Sequence, residues 1–153
     1  MVKTIWIGDV QSGKYDDQEV ELKGWVKRAR GNNNIRFVVL RDSTGTIQCV
    51  VKKDTIGEEL FAEVKNVLIE TSVIIHGKVN ADERADGGHE LVASSFEIIG
   101  AVNPEKPFPI TESAMAAADG GETEFLLDNR HLYLRTSRMT TMLQVRSTVF
   151  GAI

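Results

Sequence analysis

A chain of 153 residues with a formal net charge of −4, 42% hydrophobic and 26% charged residues, has the make-up of an ordinary globular protein. No apolar run approaches the ~20 residues that cross a bilayer, and "MVKTIWIGDV" lacks the organisation of a signal peptide. Cys49 is alone, which excludes an intramolecular disulfide, and the acidic balance argues against indiscriminate coating of nucleic acid. A cytoplasmic protein without a membrane partner is the expectation.

The elements follow in chain order. In "EVELKGWVKRAR", Val20, Leu22 and Val26 alternate with Glu19, Glu21, Lys23 and Lys27, the pattern of a half-buried strand over Glu19 to Arg30. Gly24 lies in its middle, where a long strand bends or bulges. After the turn "GNNN", Ile35 to Arg41 and Thr46 to Lys52 read as a hairpin around "DSTG". "IGEELFAEVKNVL" places Ile56, Leu60, Phe61, Val64, Val67 and Leu68 at helical spacing, predicting one helix. Ser72 to Val79 and Glu90 to Ile99 are two further strands, joined by the polar "NADERADGGH". Three strands, a helix and two strands is the order of an OB-fold, a five-stranded barrel whose open face commonly receives oligonucleotides. A non-barrel α+β sheet is the alternative.

Beyond Ile99 the character changes. "NPEKPFPI" holds Pro104, Pro107 and Pro109 and predicts a stiff, extended connector. "TESAMAAADGGETE" reads as a flexible or peripheral stretch, and "FLLDNRHLYLR" is apolar again. "TSRMTTMLQVRSTVFGAI" predicts a helix capped by Thr136 or Ser137, with Met139, Met142, Leu143, Val149 and Phe150 along one stripe. The stripe is still running at Ile153, so a longer parent protein is expected. The domain reading is 1–100 for the barrel, 101–124 for a linker and 125–153 for the start of a second domain.

The basic residues Lys27, Arg28, Arg30, Arg36 and Arg41 follow one another with no acid among them, whereas Asp16, Asp17, Glu19, Glu21, Asp82, Glu83 and Asp86 fall elsewhere in the sequence. A locally basic face on an acidic body suits a selective partner held by a few phosphate contacts; a solvated strand edge is the plain alternative. With a four-residue loop over Asp42 to Gly45, Arg41 opposes Thr46, Val39 opposes Gln48 and Phe37 opposes Val50. Phe37 and Gln48 then share a face, one offering a ring for stacking and the other a donor and an acceptor. A three-residue loop with a bulge would put them on opposite faces. By pattern alone the favoured reading is a core ring and a rim amide. Trp25 is expected to pack, and Cys49 to be inert filling. His76, His89 and His131 lack ligand spacing, so no metal site is expected, and neither a phosphate loop nor a catalytic triad stands out.

"GWVKRAR", "FVVLRDSTGTIQCVV", "ADERADGGHEL" and "FLLDNRHLYLRTSRMTTMLQVRSTV", in this order, resemble the N-terminal region of the archaeal-type asparaginyl-tRNA synthetases. That family belongs to the class IIb group, with the aspartyl and lysyl enzymes. "RDSTGTIQ" marks the group, while "ADERADGG" and "LLDNRHLYLR" lean toward asparagine over aspartate. The resemblance implies an OB-fold that grips the anticodon, a short hinge, and the beginning of a class II catalytic domain. It implies that Phe37 stacks on the middle anticodon uridine, that Gln48 reads its edge and that Glu90 adds a contact. Arg30 matches a family arginine, with Arg28 and Asn33 as further candidates for backbone or neighbouring-base contacts. ATP and Mg²⁺ belong to the parent enzyme, a homodimer that charges tRNA with asparagine; this segment lacks the catalytic motifs, needs no cofactor and is expected to be inactive alone. An aspartyl enzyme, a free-standing single-strand-binding OB module and a structural interaction domain remain as alternatives.

Overall fold

The computed structural model describes residues 5–110 and 123–152. The chain divides into two compact units between Pro107 and Phe108. In the first, five strands close into a barrel in the order β1-β2-β3-β5-β4. They are β1 (Glu19–Gly31), β2 (Ile35–Arg41), β3 (Thr46–Lys52), β4 (Ser72–Ala81) and β5 (His89–Gly100). The barrel expected from the sequence is therefore present, and the α+β alternative falls.

Closure depends on the strand with the central glycine. Residues Glu19 to Trp25 of β1 pair with β4, and Trp25 to Gly31 pair with β2. One strand thus serves both sides of the seam. At the bend a Cβ on Gly24 would lie 2.3 Å from the Arg41 carbonyl oxygen, so only glycine lets the two backbones approach this closely. A bulge at Lys27 adds the local twist that curvature requires.

The inward face is aliphatic: Leu22, Val26, Val38, Leu40, Ile47, Cys49, Ile75, Val79 and Leu91 are all fully buried. Both ends are plugged. The expected single helix is two short ones, α2 (Lys53–Ile56) and α3 (Glu58–Lys65), broken at Gly57, whose φ of 84° ends one and precedes the other. Phe61 and Val64 of α3 enter the core at the β1–β2 turn end. At the β2–β3 loop end sits α1 (Ile7–Gln11), an element the sequence pattern does not announce, which buries Ile7 and Val10.

The hairpin register is the one a four-residue loop dictates: Arg41 opposite Thr46, Val39 opposite Gln48, Phe37 opposite Val50. Asp42 enforces it. Its Oδ1 accepts hydrogen bonds from the backbone N–H of Thr44 (2.6 Å) and of Gly45 (2.9 Å) and from the Thr44 hydroxyl (2.7 Å), an Asx-type turn. Trp25 corrects an expectation: it is 42% exposed on the outer surface, beside Trp6, Ile74 and Ile99 in a shallow apolar depression, because the burial of Val26 turns its neighbour outward.

The connector is not uniformly extended, since Lys106 N–H donates to the Asn103 carbonyl and closes a turn. Residues 111–122, most of the stretch expected to be flexible, lie outside the described residues. In the second unit α4 (Thr123–Asp128) and α5 (Arg130–Tyr133) precede α6 (Ser137–Gly151). Thr136 caps α6, its hydroxyl accepting from Met139 N–H at 3.4 Å. Of the expected stripe only Met139 is buried; Met142, Leu143, Val149 and Phe150 are exposed. Among the described residues no helix is long and apolar enough to cross a membrane.

Candidate nucleic-acid interface

The outer face that the hairpin register defines crosses all five strands. Because cross-strand partners point the same way, Arg28, Val39, Gln48, Glu90 and Asn80 form one row, from β1 through β2, β3 and β5 to β4. Arg30, Phe37, Val50, Val92 and Lys78 form the next. Phe37 and Gln48 are thus diagonal neighbours at roughly 7–8 Å, and Glu90 is the direct neighbour of Gln48 across a parallel pair. The parallel pairing is what brings a residue so distant in sequence to the amide's side.

A cleft of about 450 Å³ lies over these rows, lined by Phe37, Gln48, Val50, Glu90 and Val92 on its floor. Phe37 and Gln48 are half-buried, and Val50, the cross-strand partner of Phe37, is nearly covered. Phe37 is therefore neither a core ring nor fully solvated: it is half-buried and lines the cleft. The Arg30 guanidinium stands 6.0 Å from the ring centroid, at the outer range of a cation–π contact. Among the described residues the Gln48 carboxamide and the Glu90 carboxylate have no side-chain hydrogen-bond partner. A ring, an amide and a carboxylate without such partners in the fold can stack on and edge-read one unpaired base. A smaller recess of about 80 Å³ joins Arg28 and Arg30 to Gln48.

Asn33 is not with them. It sits in the exposed β1–β2 turn, lines neither cleft, and its Oδ1 accepts from Lys65 Nζ at 3.1 Å. Two hairpin arginines serve the fold. Arg36 donates to the carbonyl of Lys65, the last residue of α3, at 3.1 Å. Arg41 makes a two-pronged ion pair with Glu70 at 2.9 and 3.0 Å, with both side chains largely buried.

The structure adds residues that the strand pattern does not single out. Lys52 and Asn80 line the main cleft, and so do Asp82, Arg84 and Ala85 from the β4–β5 loop. The acidic block expected to lie away from the basic run is on the rim of this face, because the loop folds back over it. Asp82 Oδ1 accepts from Arg84 Nε at 3.0 Å and from Arg84 N–H at 2.9 Å, and Oδ2 accepts from Nη2 at 2.9 Å. These bonds hold the Asp82 carboxyl down to about 2, and Asp82, with Glu90 adding to it, raises the Arg84 guanidinium. The available signal was the loop's position between the last two strands of an oligonucleotide-binding barrel.

Cys49 neighbours Gln48 but points inward, and burial, then the Glu90 charge, pushes its thiol up and out of reactive range. Among the described residues no group of three or more His, Cys, Asp or Glu is arranged to hold a metal ion.

Comparison with known proteins agrees with this fold. A family model, tRNA anti-codon, described as an OB-fold nucleic acid binding domain, matches residues 20–99. The asparagine–tRNA ligase of Thermoplasma acidophilum is 40% identical over 144 residues, which is 94% of this chain and 31% of that protein. The crystal structure of asparaginyl-tRNA synthetase from Pyrococcus horikoshii complexed with asparaginyl-adenylate superposes with a TM-score of 0.84 at 37% identity, covering 99% of this chain and 33% of that one. An aspartyl-tRNA synthetase from Entamoeba histolytica shares the fold, with a TM-score of 0.79 at 22% identity. The chain spans about a third of the length of these relatives. With over half of its residues matched by the model, it belongs to the family of tRNA anti-codon OB-fold nucleic acid binding domains.

Proposed function

We propose that this chain is the N-terminal part of an asparagine–tRNA ligase and that its barrel face reads the anticodon. The observation that supports this best is the contiguity of Phe37, Gln48 and Glu90 around one cleft, in successive register positions on β2, β3 and β5. In this reading Phe37 stacks on the central uridine, Gln48 satisfies its Watson–Crick edge and Glu90 takes a donor from the same or a neighbouring base. Arg30 and Arg28 meet the backbone phosphates beside it, and Asn33, off the cleft, is a peripheral contact at most.

Residues 1–100 are then the anticodon-binding domain, 101–124 the linker and 125–153 the opening of the catalytic domain. The whole enzyme would activate asparagine with ATP and Mg²⁺ and charge tRNA, as a homodimer in the cytoplasm. The chemistry of the segment itself is recognition.

Binding of anticodon stem-loops tests the proposal. A loop carrying GUU is expected to bind better than one whose central U is replaced. Equal affinity would favour a general single-strand-binding module and remove the anticodon reading; no binding would favour a structural interaction domain.

A further inference from the structure

Among the described residues, Arg84 alone borders both clefts described above and also the open groove beside Asn80 and Glu90. Its side chain is 90% exposed, while that of its partner Asp82 is 22% exposed. Asp82 is fixed through its backbone as well. Its N–H donates to the Gly88 carbonyl at 3.0 Å, and its own carbonyl accepts from Ala85 N–H at 2.9 Å. The carboxylate is therefore the anchored member of the pair and the arginine the exposed one.

We infer that Asp82 is a positioning residue that keeps Arg84 from acting as a free phosphate-binding cation, so that the loop governs which RNA is held more than how tightly any RNA is held. This rests on the anticodon reading above. The pair occupies Nε and Nη2, one whole edge of the guanidinium fork, and offsets its charge. What stays available is the Nη1 end and the flat face, a smaller donor set on a guanidinium whose charge is offset, which favours a base over a phosphate relative to the free side chain. Released, the same side chain would sweep across the cleft rim and capture whatever phosphate came within reach, adding affinity without sequence information. An acid on the rim of an RNA-binding face, otherwise a cost in binding, acquires a purpose on this account.

The test measures binding of the 153-residue chain to the GUU stem-loop and to its central-replacement partner across a series of KCl concentrations. Asp82→Asn is expected to tighten both by about two- to fivefold at low salt and to steepen the dependence of log K on log salt by about 0.7, the single-strand increment for one more phosphate contact. The preference for GUU should fall. Asp82→Glu, which keeps a carboxylate within reach of the arginine, should restore the parental slope. In an Arg84→Gln background Asp82→Asn should leave the slope where it was. The same steepening there would mean that Asp82 acts by its own charge, and would overturn the positioning role. So would an unchanged slope, or uniformly weaker binding, in Asp82→Asn alone. A parent chain that binds both stem-loops equally overturns the anticodon reading and with it the selectivity drawn from the loop, while a double-mutant cycle that behaves as expected upholds the restraint of Arg84 by Asp82; a chain that binds neither overturns both.

Discussion

The arginines of the β1–β2–β3 sheet fall into two groups that the sequence does not separate. Arg36 and Arg41 end in the fold: one donates to the C-terminal carbonyl of α3, the other pairs with Glu70 before β4. Arg28 and Arg30 line the recess beside Gln48, with Arg30 over the Phe37 ring. A run of basic residues is thus part scaffold and part lining of the recess. The division follows barrel position: Arg36 and Arg41 sit at opposite ends of β2, against the loop and helix that cover the barrel ends, whereas Arg28 and Arg30 lie midway on the open side.

This contrast makes separable predictions for stability and for binding. Arg41→Ala should have the largest effect, about 2–4 kcal/mol of unfolding free energy in denaturant titration, because it removes the cation that faces a largely buried Glu70 carboxylate. The folded fraction should bind RNA as before; a binding loss without a stability loss would reverse the assignment. Phe37→Ala and Gln48→Ala should each cost about 1–3 kcal/mol of stem-loop binding and little stability, since both side chains are only half-buried. Glu90→Ala should weaken binding by less where water can take its place. Arg36→Ala, which removes one helix C-terminal contact, should lower stability by about 0.3–1 kcal/mol and leave RNA affinity unchanged.

The smallest effect lies in acid. The Asp82 carboxyl sits below its ordinary value of 3.8, at about 2. A depressed carboxylate contributes stability above its unfolded value, and that contribution is lost as pH falls through the folded one, here between about pH 4 and 2. NMR titration of the Asp82 side chain should show the low midpoint, and Arg84→Ala should return it toward 3.8.

Much of this architecture is legible in the sequence because it is local. The bounds of β2 and β3 and their register follow from alternation and from Asp42, whose side chain closes a loop of known length. The same pairing puts Phe37 and Gln48 on one face, so the heart of the candidate site follows from the strands themselves. What the sequence conceals is non-local. The helix α1 has Trp6 at its N-cap position, with no Ser, Thr, Asp or Asn there to announce it. Its cap comes from far along the chain, as Ile7 N–H donates to Asp42 Oδ2 and Gly8 N–H to Thr44 Oγ1, both at 2.8 Å. Trp25 misleads because a large aromatic on a strand carries no label for its face, and the buried Val26 decides it. Arg84 and Asp82 look like loop filler because only the fold-back of the β4–β5 loop sets them on the cleft.

The shared loop makes Asp42 a checkpoint during folding. A helix of five residues has no stability of its own, so α1 forms only after the hairpin has closed and presented its carboxylate. A hairpin that zips one residue out of step would offer no such anchor, leaving Ile7 and Val10 uncovered and the amino-terminal segment open to proteases. Faulty strand alignment in this protein would thus expose itself at a site remote from the error, before any RNA is encountered.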